Sequence, residues 1–80
     1  MAFVTAIERD DEREIRSVHP TNLKCQIVVG EVAGQKLLQL NTYGSSDREL
    51  PGKVSQTLQF GETTAKQLFE ILRTEFGLGN

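Results

Sequence analysis

The residues with chemistry to offer are few: one cysteine, one histidine, one tyrosine and some small knots of charge. The stretch Pro51-Gly52-Lys53-Val54-Ser55 has the Gly-Lys and nearby hydroxyl of a phosphate-binding loop. Seven residues separate Gly44 from Gly52 where that motif has four, and Val54 takes the place of its hydroxyl residue. No helix is expected directly after it to aim an N-terminus at a phosphate. Asp10, Asp11 and Glu12 are potential metal ligands, but they lack the glycine and spaced oxygens of a calcium loop. Asp47 and Glu49 flank Arg48 in a turn-rich stretch, which lacks the burial that shifts carboxyl pKa values for acid/base work. Cys25 falls mid-strand on an apolar face with no adjacent base, the setting of a packed thiol. His19 beside Pro20 reads as a turn residue. One histidine and one cysteine are too few for an all-N/S zinc site. The expectation is no enzyme, no metal and no cofactor.

Bulk properties narrow the class. Eighty residues make one small domain, 1–80, with a thin core. A single cysteine forbids an internal disulfide, so self-association is the remaining way to strengthen that core, and a homodimer is expected. Nine Lys and Arg stand against 11 Asp and Glu, a formal net charge of -2. The segment Glu8–Arg16 carries that whole excess, and elsewhere acids and bases balance. This is no basic footprint for avid nucleic-acid binding. No apolar run is long enough to cross a bilayer, and "MAFVTAI" lacks a basic start and a cleavage pattern. A lone free cysteine suits a reducing compartment, so a cytoplasmic protein without a membrane partner is expected.

The elements that must position these residues come from periodicity. Residues 1–12 read as a mobile acidic arm leading to a short strand at Glu14–Val18, stopped by His19-Pro20. Leu23–Val29 alternates, with Leu23, Cys25, Ile27 and Val29 on one face and Lys24, Gln26 and Val28 on the other. Gly30 and "EVAGQ" turn the chain into a second run, Lys36–Tyr43. Lys53–Phe60 alternates again. The period then changes. Ala65, Leu68, Phe69, Leu72 and Phe76 recur at helical spacing, Thr63 or Thr64 is placed to cap the start, and Gly77 to end it. The predicted fold is α+β: a four-stranded antiparallel meander followed by one C-terminal amphipathic helix (β-β-β-β-α) that covers one sheet face.

The other face then decides function. It is expected to carry Lys24, Gln26, Gln39, Asn41, Ser55, Thr57 and Gln59, with Tyr43 nearby. Amides and hydroxyls offer donors and acceptors without a large desolvation cost, which suits an adaptable contact surface. The plain alternative is an ordinary wet strand surface.

The run "LLQLNTYGSSDRELPGKVSQTLQF" with its following amphipathic helix resembles the positive-cofactor-four-like single-stranded DNA-binding family of transcriptional coactivators. The resemblance covers Leu37–Gly77, about half the chain. It implies a curved four-stranded antiparallel sheet backed by one helix, dimerised with the helices at the centre, and grooves that take unpaired strands. Tyr43 matches the tyrosine closing the family's third strand, Pro51 and Gly52 its Pro-Gly, Lys53 the first basic residue after it, and Leu58 an aliphatic residue of the fourth strand. Val54 stands where the family has a second lysine and Ser55 where it has a glycine. The loop is also shorter, and the family's basic first strand is not evident. Joined to residues of the polar face and the basic side chains at hand, the resemblance gives an expected contact set of Lys24, Lys36, Gln39, Asn41, Tyr43, Arg48, Lys53, Ser55 and Thr57. Leu68, Phe69, Leu72 and Phe76 would form the dimer interface.

Two kinds of partner follow. One is single-stranded DNA or RNA, held by a homodimeric module with a role in transcription regulation. The other is a protein, met at a sheet edge or through the acidic Glu8–Arg16 segment by a small regulator or inhibitor.

Overall fold

A computed structural model of the chain describes residues 1–44 and 54–79. The elements run β1 (Ala2–Phe3), β2 (Lys24–Val32), β3 (Gln35–Tyr43), β4 (Val54–Phe60) and α1 (Glu62–Phe76). They form an α+β domain with a four-stranded mixed sheet in the order β1-β4-β3-β2. β2, β3 and β4 are successive antiparallel neighbours, as expected of consecutive strands joined by short connections.

The first strand corrects the predicted meander. Glu14–Val18 forms no strand; Ile15 and Val18 are almost fully exposed, with nothing to pack against. Ala2–Phe3 instead pairs parallel to β4, opposite Leu58 and Gln59, and the Val4 N–H extends the pairing to the Gln59 carbonyl at 2.8 Å. Two residues are too few to leave a periodic signal in a sequence.

The turn between β2 and β3 is tighter than expected. Gly30, Glu31 and Val32 continue the strand, and Val32 pairs with Gln35. Only Ala33 and Gly34 are left to reverse the chain, at φ 52° and 79°. Two positive φ values are what a two-residue hairpin of matching twist requires. Gly34 meets this without strain, whereas Ala33 holds a left-handed conformation that crowds its Cβ.

α1 starts directly after β4, with Gly61 the lone linking residue and no side-chain cap. Thr63 and Thr64 therefore lie inside the first turn. The Thr64 hydroxyl donates instead to the Val4 carbonyl at 3.2 Å and is buried there. Gly77 ends the helix at φ 63°, and the N–H groups of Gly77 and Leu78 both reach the Arg73 carbonyl. This is the left-handed C-terminal closure that glycine permits. No helix among the described residues is long and apolar enough to cross a membrane.

Residues 2–9, read in sequence as part of an arm, are tied down. Beyond the β1 pairing, the Ile7 N–H donates to Gln67 Oε1 at 2.9 Å, and Arg9 Nη2 meets Glu75 Oε2 at 2.8 Å. The N-terminal segment thus follows α1 from its first turn to its last.

α1 does not lie along the sheet, so the cover expected on the apolar face is incomplete. Its first-turn Ala65 shares a cleft of about 240 Å³ with Val29, Leu38 and Phe60. Phe60, 5 % exposed, is the one buried hydrophobic residue among those described, while Ile27 on the same face is 61 % exposed. Cys25, expected to be packed, is exposed near the open end of that face.

Replacing Ala33 with Asn, which enters the left-handed region readily, is expected to relieve strain of about 1 kcal/mol. For a domain of this size that raises Tm by roughly 4–8 °C in a thermal melt. An unchanged Tm would mean that position 33 carries no such strain.

Candidate nucleic-acid interface

The polar face is built from β3 outward. Register places Asn41 between Gln26 and Thr57, Gln39 opposite Gln59, and Tyr43 opposite Lys24. Because side chains alternate along a strand, these residues share one face, while Ile27, Val29, Leu38, Leu40, Leu58 and Phe60 share the other.

Hydrogen bonds join the polar side chains across strands. Gln59 Nε2 donates to Gln39 Oε1 at 2.8 Å, and Gln39 Nε2 donates to Asn41 Oδ1 at 3.0 Å. Thr57 Oγ1 also donates to Asn41 Oδ1, at 3.0 Å. Asn41 is thus the acceptor at the centre, where donors from both strands converge. Such chains polarise one another and hold their members in fixed rotamers. On the outer strand, the Tyr43 hydroxyl donates to Gln26 Oε1 at 2.8 Å, which tethers the ring tip to β2.

Exposure divides this face into a closed centre and an open rim. Asn41 is 9 % exposed and Thr57 7 %. Lys24 and Gln26 are exposed, and Gln39, Tyr43 and Gln59 are half-buried. A ligand lying on the sheet would meet the rim first.

Of the nine residues in the expected contact set, Lys24, Gln39, Asn41, Tyr43 and Thr57 come together here. Lys36 does not. It alternates onto the aliphatic face and lines the cleft beside Leu38 and Phe60. Ser55 sits at a register shift, since Thr42 pairs with Gln56 but Tyr43 pairs with Val54, so alternation does not place it on the polar face. Arg48 and Lys53 lie outside the described residues, as do Asp47, Glu49, Pro51 and Gly52. Gln26 and Gln59 belong to the network although the expected contact set omits them; their alternation with Ile27 and Leu58 is the signal that places them.

Asp10 and His19 have local roles. Asp10 Oδ1 accepts the backbone N–H groups of Glu12 and Arg13, at 3.0 and 3.2 Å, and its Oδ2 meets Arg13 Nη1 at 2.6 Å. The two backbone donors, with the guanidinium, hold its carboxyl below the usual carboxylate range. This ties Asp10 into a turn. His19 Nδ1 accepts the Thr21 N–H at 3.1 Å, which places His19 in a turn across Pro20. Among the described residues no three His, Cys, Asp or Glu side chains are grouped to hold a metal ion.

Asn41→Ala removes the acceptor shared by Gln39 and buried Thr57, and is expected to cost about 1–3 kcal/mol in urea unfolding. In a double-mutant cycle with Thr57→Val the two losses should be non-additive by at least about 0.5 kcal/mol. Strict additivity would mean that the Asn41–Thr57 bond contributes nothing. No family model, curated protein or solved structure matches the chain.

Proposed function

We propose that the protein is a non-enzymatic homodimeric module that binds single-stranded DNA or RNA across the polar sheet face, with a role in transcription regulation. The observation that carries this reading is the linked row Gln59-Gln39-Asn41-Thr57, flanked at one end by Tyr43 and Lys24 on adjacent strands. Unpaired bases need a π surface for stacking, groups that donate and accept on their edges, and cations near the phosphates. Tyr43 supplies the first, Gln26, Gln39 and Gln59 the second, and Lys24 the third. Tethering by Gln26 orients the ring before any base arrives, which lowers the ordering cost of binding.

A net charge of -2, and one lysine on this face among the described residues, set the strength. Few phosphates can be neutralised per protomer, so binding is weak, strongly salt-sensitive and dependent on the doubling a dimer provides. A duplex, whose bases are already stacked on one another, has less to gain from Tyr43. Selectivity for unpaired strands thus comes from the ring, not from charge.

A second reading rests on a different observation. β2 forms an outer edge of the sheet and all nine of its residues are exposed. Such an edge can accept a strand from a protein partner through backbone hydrogen bonds, with little dependence on salt.

Fluorescence anisotropy with a labelled unpaired oligonucleotide and its duplex, at two salt concentrations, separates the readings. The first predicts saturable binding in the micromolar range that favours the unpaired strand. Tyr43→Ala should weaken it by about 1–3 kcal/mol for each stacked base, whereas Tyr43→Phe keeps the ring and most of the affinity. Lys24→Ala should flatten the log–log salt slope by about 0.7 for each phosphate that the lysine neutralises. No saturable binding, or binding indifferent to Tyr43→Ala, would remove the nucleic-acid reading.

A further inference from the structure

One chain carries two apolar surfaces that need cover and do not cover each other. The first is the aliphatic sheet face, where Ile27, Val29 and Leu58 are exposed. The second is the stripe Phe69, Leu72 and Phe76 on α1, exposed as well, with Phe76 at 73 %. An amphipathic helix and a half-apolar sheet are natural partners, and here both belong to the same chain.

The connection keeps them apart. Gly61 alone links β4 to α1, shorter than the usual strand-to-helix loop of two to six residues, and leaves α1 little slack to fold back over its own sheet. A Cβ at Gly61 would come within 3.1 Å of Gln35 Nε2, so the junction is also tight. Residues 4–9 then brace the helix along its length, through Thr64 to Val4, Gln67 to Ile7 and Glu75 to Arg9. Val4 is itself paired to Gln59 in the sheet, so swinging α1 onto that sheet would break the Thr64 bond.

Area points to a second copy as the missing cover. The chain exposes 7073 Å², whereas a compact monomer of 8.9 kDa exposes about 4,800 Å². Its radius of gyration is 14.9 Å, against about 12 Å for a compact chain of this length. The exposed 8–23 segment accounts for part of the excess. An excess of about 2,300 Å², shared with that segment, compares with the roughly 800 Å² per partner of a standard interface.

We propose, building on the homodimer in the reading above, that two copies exchange helices: the aromatic stripe of each α1 lies on the aliphatic sheet face of the other chain. A two-fold axis makes this contact self-complementary, because each protomer offers one sheet and one helix and receives the same. Helix-to-helix contact alone would leave Ile27, Val29 and Leu58 in water. Sheet-to-sheet contact alone would leave Phe69 and Phe76 there. Only the reciprocal arrangement buries both sets and leaves both polar faces outward.

The test needs no nucleic acid, so it reads the contact between the copies separately from strand binding. Isotope-labelled and unlabelled full-length chains are co-refolded, and intermolecular NOEs are collected with isotope filtering. The expected result is cross-peaks from the Ile27 and Val29 methyl groups of one chain to the Phe69 and Phe76 rings of the other. Phe76→Glu, at an exposed position, should halve the mass seen by light scattering. A wild-type monomer at NMR concentration would overturn the proposal. So would a dimer whose intermolecular NOEs join the rings only to one another, or run along the β2 edge.

Discussion

β3 is the strand on which the structure depends, because it is hydrogen-bonded on both sides and its register sorts every neighbouring side chain. With Asn41 opposite Gln26 and Thr57, amides and hydroxyls gather on one face; with Leu40 opposite Ile27 and Leu58, aliphatic residues gather on the other. A slip of one residue on either side would put Asn41 among leucines and Leu40 in the polar row. Two devices hold the register. The two-residue turn at Ala33–Gly34 fixes β2 against β3, and the bonds that Thr57 donates to Asn41 Oδ1 and Gln59 to Gln39 Oε1 fix β3 against β4. The polar row is therefore a structural lock at its centre and is open to solvent only at its rim.

The same sorting creates the problem that the rest of the chain must solve. An aliphatic face needs a cover, and α1 leaves the sheet through a one-residue link while its flank is held by residues 4–9. Thr64 shows how specific that bracing is, since its hydroxyl sits buried against Val4 and serves the N-terminal segment instead of its own helix. What results is a braced frame with apolar surfaces left exposed on both the sheet and the helix. The proposed function follows from the same geometry: in the proposed dimer, closing the aliphatic surfaces would leave two amide faces with their tyrosines in water.

Much of this is legible in the sequence because the signals are periodic. Alternation over Leu23–Val29, Lys36–Tyr43 and Lys53–Phe60 places the three long strands and, up to the register shift near Ser55, assigns their described residues to the observed faces. Helical spacing and Gly77 place α1 and its end. What escapes reading is aperiodic or depends on distant residues. β1 is two residues long, the Arg9–Glu75 pair joins opposite ends of the chain, and the exposure of Cys25 depends on a helix that fails to lie over it. For the contact set, alternation correctly gathers Gln39, Asn41, Tyr43 and Thr57, whereas Lys36 enters that set on charge alone and its even position sends it to the other face. Ser55 is misplaced for a different reason, a register shift that no pattern of side chains announces.

All of this rests on the claim that a single chain leaves its core unfinished and a second copy completes it. Sedimentation equilibrium of the full chain at micromolar concentration weighs that claim most directly. A species at twice the 8.9 kDa chain mass is the predicted result. A folded species that stays at 8.9 kDa across the concentration range would contradict it.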